Sequence, residues 1–326
     1  GNIPQIGDVS LAGAGICAPV ITLLSSFATL IGIGGSVLFS MRLGAKDQEK
    51  AKNLLGTSFS MLLFFSAALT ILFLLLKAPL LQWFGASKTT FPYANTYMTI
   101  YKLGTFFALL SMGMNYFITA QGYPGLGMAT TLIGAVVNIV LDPVFIFLLH
   151  MNIAGAALAT VLAQLSSCVF VLLTLKQKKM PIPLTLAPIQ RSTAVRILKM
   201  GFSPFLILAT DSVIIIALNA VLQHFGGPEY GDTLITCATI VQSYMLLITS
   251  PMLGITGGSQ PLISFNMGAG KVERIRKIVL CVLLLCIGFT TFMFLLSRFV
   301  PQYFVRIFTQ NPEYASLSVW GIQVFT

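Results

Sequence analysis

The chain has 326 residues, of which 56% are hydrophobic and only 9% charged, with a mean hydropathy of +0.90. A soluble domain carries about 25% charged residues, so most of this chain belongs in lipid. The net charge of +10 sits on loops, as lysines and arginines do at a cytoplasmic membrane face, and with no basic, aromatic-interleaved surface a nucleic-acid partner is not expected.

Apolar runs of about 20 residues recur, long enough to cross a bilayer as helices. They are too long for barrel strands of about 9–11 residues. The expected fold is therefore an all-α polytopic membrane protein. Eight complete spans fall at about 11–41, 54–76, 96–120, 126–149, 154–175, 196–222, 233–265 and 276–297, and a ninth begins near 315. The first and seventh are longer than a crossing requires, so they should tilt or project from the bilayer. The start, GNIPQIGDVS, has no signal-peptide pattern, and the end falls inside the ninth run. Both ends read as cut.

Span 1 runs into RLGAKDQEKAK, whose cations suggest the cytoplasmic side. Alternating the spans from there puts 14 cations inside, on the stretches 42–52, 176–199 and 271–277. It leaves 5 outside: Lys77, Lys88, Lys102, Arg298 and Arg306, which completes the 19 of the chain. The imbalance supports that orientation.

Span 4 holds NIVLDPVFIF (138–147), one of two places where an acid lies deep in an apolar run. An aspartate at a membrane centre costs about 2.5–3.5 kcal/mol on insertion scales and marks a functional site by default. Asn138 lies four residues before Asp142, on the same helix face. Pro143 removes a backbone donor and favours a kink. An amide, a carboxylate and a freed carbonyl on one face make an oxygen-rich pocket suited to a proton or a small hard cation. Tyr97, Asn115 and Thr160 are ordinary polar residues within spans. His150 and His224 lie at outer span ends and read as interface residues.

After span 5 comes KQKKMPIPLTLAPIQR (176–191), polar, basic and holding three prolines. It reads as a linker between two halves, giving an N-lobe over 1–175, a linker over 176–195 and a C-lobe over 196–326. Span 6 contains the second deep acid, Asp211. Span 7 ends in ITGGSQPLISFNMGAGKVERIR (255–276), which repeats IGIGGSVLFSMRLGAKDQEKAK (31–52) without a gap at an offset of 224. Identities include Gly34/Gly258, Ser40/Ser264, Gly44/Gly268 and Glu49/Glu273. The same offset carries spans 1 and 2 onto spans 7 and 8, so the halves should be related by an axis along the membrane normal, an arrangement found in transporters. Completing both copies gives twelve helices, so the chain should hold eight complete spans of twelve and lack its first helix.

The five cysteines (Cys17, Cys168, Cys237, Cys281 and Cys286) lie in apolar runs without CxxC spacing. They read as small buried hydrophobes. No GxSxG, HExxH or GxxxxGK[ST] occurs, so neither an enzyme nor an ATP engine is expected.

GYPGLGMATTLIGAVVNIVLDPVFIF with IAGAALAT, and the pair RLGAKDQEKA and QPLISFNMGAG, resemble the multidrug and toxic compound extrusion (MATE) family over essentially the whole chain. The resemblance implies twelve helices in two lobes and export of cationic, amphipathic compounds by antiport against protons or sodium, without a cofactor. It implies a monomer in a plasma membrane, such as a bacterial inner membrane. Its DinF-like branch implies a coupling-ion site of Asp142, Asn138, Thr160, Asn115 and Tyr97, completed by an acid from the first helix. Sodium would bind at Asp142. The NorM-like branch has an acid ten residues after a glycine, a spacing matched by Gly201 and Asp211, although that acid is usually a glutamate. A lipid-linked saccharide flippase of the same superfamily is the nearest alternative. The scarcity of Lys and Arg inside the spans favours cationic substrates over it. A membrane receptor or enzyme without transport is the alternative of another class.

Overall fold

A computed structural model describes residues 3–76, 91–308 and 312–325. Lys77, Lys88 and the side chain of Cys17 lie outside the described residues. The order is α1 (Ile3–Gly44), α2 (Gln48–Leu75), α3 (Phe91–Ala120), α4 (Pro124–Pro143), a π turn (Val144–Leu148), α5 (Asn152–Lys176), α6 (Arg191–Gly268), α7 (Val272–Phe299), α8 (Pro301–Phe308) and α9 (Pro312–Phe325). Among the described residues, eight helical stretches are long and apolar enough to cross a membrane, and each overlaps one of the eight runs read from the sequence. Two of them lie in α6, whose helical geometry breaks at Gly227 (φ 64°, ψ −170°). Only glycine takes that conformation freely, and it sits between the sixth and seventh runs.

The chain forms two compact units, one running to Ser212 together with Met267–Gly270, the other comprising Val213–Asn266 and the chain from Lys271 onward. In the first, Phe39, Leu55, Leu62, Met114, Phe117 and Leu175 are buried in one apolar cluster. Small residues let the helices approach closely. A methyl on Gly113 would run into Leu62, and one on Gly201 into the Leu30 carbonyl. In the second unit, Tyr244, Met293, Val305 and Ile322 form the core, and the Tyr244 hydroxyl donates to the Met293 carbonyl at 3.2 Å.

The repeat is present in the backbone. Helices α2 and α7 both contain 28 residues, and both their ends differ by the offset of 224. The turns that precede them share two backbone bonds. Lys46 N–H donates to Leu43 O at 3.0 Å and Gly270 N–H to Met267 O at 3.2 Å; Asp47 N–H donates to Arg42 O and Lys271 N–H to Asn266 O, both at 2.9 Å. At the far ends, Leu76 N–H donates to Leu72 O and Val300 N–H to Leu296 O, again both at 2.9 Å. The first copy is capped more strongly. Asp47 accepts from the Lys50 N–H at 3.2 Å and pairs with its ammonium at 2.8 Å. Lys271 makes no side-chain cap.

Two charged stretches depart from a simple loop picture. Lys102, counted above with the outer cations, lies within α3 and is only 2% exposed. The proline-rich stretch after α5 is seated on the first unit. Met180 and Ile182 are buried in its core, Ile182 N–H donates to Gln121 Oε1 at 2.9 Å, Ser60 Oγ donates to Ala187 O at 2.7 Å, and Asn53 Nδ2 donates to Gln190 Oε1 at 2.9 Å.

Candidate functional site

Helix α4 begins with a proline in its first turn, where the missing N–H costs nothing. It is fixed to α5 at Gly134, where an added methyl would strike the Ser167 hydroxyl, and Ser167 Oγ donates to Thr130 O at 3.0 Å. Its far end carries Asn138 and Asp142 and stops at Pro143. Beyond Pro143 the chain stays helical and passes into the π turn, in which Leu149 N–H reaches back to Val144 O at 2.9 Å. Single π turns inside helices accompany functional sites in many proteins.

Asn138 Nδ2 and Asp142 Oδ1 are buried atoms without a hydrogen-bond partner among the described residues. A buried polar atom left in this state costs about 1–3 kcal/mol. Asn115 resembles them on one side only: its Nδ2 donates to Gly127 O at 3.2 Å, while its Oδ1 is unpartnered. Thr160 Oγ1 donates to Ala156 O at 2.9 Å.

A cavity of about 420 Å³ opens between α1, α3, α4 and α5, and Asn115, Asn138 and Thr160 all line it. Asp142 lies one turn beyond Asn138, off the lining. Tyr97 is also off the lining, but its ring stacks on that of Tyr101 at 5.8 Å, and Tyr101 is on the wall. The structure therefore brings three of the five N-lobe candidates to one cavity; Tyr97 packs on a wall residue, and Asp142 is not among the lining residues. The sequence reading did not single out Tyr101 or Gln164, which face this cavity together: Gln164 Nε2 donates to the Tyr101 hydroxyl at 2.9 Å. Their signal was a polar side chain recurring on one face of α5, Thr160 followed four residues later by Gln164.

Asp211 is elsewhere on α6, exposed and in no ion pair among the described residues. His150 follows the π turn with φ 53°, and both His150 and His224 are exposed. No group of three or more His, Cys, Asp or Glu residues is placed to hold a metal ion among the described residues.

The MatE family profile matches residues 3–144 and 207–324. The chain belongs to the MATE family. It is 26% identical to the multidrug export protein MepA of Staphylococcus haemolyticus over 328 residues, covering 99% of this chain and 70% of that protein. The MepA of Staphylococcus aureus strain MSSA476 is also 26% identical, with 96% and 69% covered. Among solved structures, a MATE protein crystallised in a bent conformation superposes with a TM-score of 0.86 at 23% identity, over 98% of this chain and 71% of that one. A MOP superfamily transporter from Pyrococcus furiosus gives 0.86 at 25% identity over the same shares. This MATE protein is thus a multi-pass secondary transporter of small molecules and not an enzyme.

Proposed function

We propose that this chain exports cationic, amphipathic compounds by antiport against protons or sodium, with Asp142 as the coupling carboxylate. The observation that carries the reading is the buried, unpartnered Asp142 Oδ1 one helical turn from the unpartnered Asn138 Nδ2, in an otherwise apolar span. Helix–helix hydrogen bonds in membranes contribute only about 0.6 kcal/mol on average. That is too little to offset the insertion cost of an aspartate, so packing alone does not account for it. The coupling cation, a proton or sodium, loads at Asp142 in the outward-facing stage. Asn138, Thr160, Asn115 and Tyr97 shape the surroundings, and Asp211 tunes transport from α6. Substrate and cation compete, and their exchange drives alternating access. The multidrug activity printed for the MepA relatives supports this substrate class. The protein works as a monomer in a bacterial plasma membrane, with 176–195 joining its lobes.

Uptake of a fluorescent organic cation into inverted vesicles, under an imposed proton gradient or an imposed sodium gradient, tests the reading. One of the two gradients should drive accumulation. Equal uptake with and without both gradients would defeat it.

A further inference from the structure

Five hydroxyl side chains on the cavity wall spend their protons on helix carbonyls. Ser25 donates to Ile21 O at 2.9 Å, Thr130 to Leu126 O at 3.1 Å, Thr131 to Met128 O at 2.8 Å, Thr160 to Ala156 O at 2.9 Å and Ser167 to Thr130 O at 3.0 Å. A hydroxyl has one proton and two acceptor lone pairs. With the proton committed, what these five offer a cavity occupant is lone pairs; the wall also carries the hydroxyls of Ser111 and Tyr101.

The two wall amides of α3 and α5 follow the same pattern. Asn115 spends its Nδ2 on Gly127 O and Gln164 spends its Nε2 on Tyr101. In both, the carbonyl oxygen is the unpartnered atom. The Gln164 oxygen packs on Gly104, where an added methyl would collide with it, so glycine is what leaves that carbonyl its place. A facing C–H suits an oxygen better than an N–H₂, in agreement with the orientation of the amide. Among the three amides on the cavity wall, Asn138 is the one whose Nδ2 is an unspent donor, and it lies at the Asp142 end.

We infer that this cavity is an acceptor-lined chamber that selects cations carrying N–H donors, such as amidinium, guanidinium or primary ammonium groups, over quaternary cations. This rests on the cation-export reading and narrows its substrate class. An N–H cation can donate to the remaining lone pairs of the more open wall hydroxyls, Ser25, Thr131 and Thr160. A quaternary cation brings equal charge but covers the same oxygens without a hydrogen bond, leaving buried acceptors unpaired, which is the costly outcome.

The test is equilibrium binding to the full chain in detergent micelles, using benzamidinium and phenyltrimethylammonium. Each has one phenyl ring and one positive charge, and only the first has N–H groups. Wild type should bind benzamidinium at least about tenfold more tightly, the size of one charge-assisted hydrogen bond. In the double variant Ser25→Ala/Thr131→Val, that ratio should fall by about three- to tenfold, while Thr131→Ser, which keeps the hydroxyl, should preserve it. A thermal melt near that of wild type shows that the double variant is folded. A wild-type ratio near one, or a ratio unchanged in the folded double variant, would overturn the inference while leaving cation export standing. Binding of neither cation by wild type would remove the export reading, and this inference with it.

Discussion

Lys46 and Gly270 occupy the same place in two copies of one turn, with φ of 60° and 68°. Each donates its N–H to the carbonyl three residues back. The left-handed conformation costs a side chain about 1–2 kcal/mol and glycine nothing. The first copy bears that cost and the second does not. Lys46→Gly should therefore raise stability by about 0.5–1 kcal/mol, and Gly270→Ala should lower it by about 1 kcal/mol. Thermal unfolding in detergent reads both, and opposite signs are required.

Asp142→Asn keeps the shape of the side chain and removes its charge. Gradient-driven uptake should fall by about 5–150-fold, the range of a coupling free energy of about 1–3 kcal/mol. Membrane insertion should be unchanged, measured as protein recovered in the washed membrane fraction. Wild-type uptake in this variant would end the case for Asp142 as the coupling group.

Asp211 is the other acid deep in an apolar run, exposed on α6. Asp211→Asn should change the range of compounds exported, or the number of ions moved per substrate, in the same vesicle assay. Unaltered transport of several chemically different cations would assign it no role.

The cap at Asp47 sets a pH dependence. The Lys50 ammonium bonded to its carboxylate, helped by the Lys50 backbone N–H, holds the Asp47 carboxyl below its usual value of 3.8. A carboxyl whose pKa is lower folded than unfolded stabilises the fold above the unfolded value and loses that contribution as pH falls through the folded one. The start of α2 should accordingly loosen first below about pH 4. Hydrogen exchange at residues 48–51, corrected for intrinsic rates, should accelerate there, and Asp47→Ala should abolish the difference between neutral and acid pH.

Glycines at packed and open positions should respond oppositely to alanine. A methyl at Gly201 meets the Leu30 carbonyl, whereas one at Gly257 meets nothing within 4 Å among the described residues. Gly201→Ala should destabilise by about 1–3 kcal/mol through overpacking. Gly257→Ala should stabilise by up to about 1 kcal/mol through helix propensity. Melting temperatures of the two variants should move in opposite directions.

The spans were legible because a bilayer imposes a length and an apolar composition that few other structures share. The repeat was legible because both copies retain Gly44/Gly268 at the helix end and a charge pattern after it. The site was legible in part. Asp142 and Asn138 declare themselves by their cost in an apolar run. Ser25, Thr131 and Gln164 do not, because serine, threonine and glutamine in membrane helices are common and usually bond within or between helices. Only the coordinates show that their free lone pairs share a cavity. Lys102 was misplaced because its position near a predicted span end gave no hint of its burial, and α8 was missed because eight residues cannot produce a membrane-length signal. The stretch 176–191 read as a linker because prolines and basic residues mark it, and that pattern did not show that Met180 and Ile182 drop two side chains into the core.

That seated stretch has a mechanical consequence. A slack tether absorbs a pull by uncoiling, and its far end does not move until it is taut. Here Ile182, Ala187 and Gln190 are each pinned to a different point of the first unit, through Gln121, Ser60 and Asn53. The path from Lys179 to Arg191 thus has almost no slack to give. A force applied at the start of α6 arrives at α2 through Asn53 and Ser60 without first lengthening the chain. The segment behaves as a bracket, and cutting the backbone at Lys178 or Lys179 would leave the bracket still bolted in place.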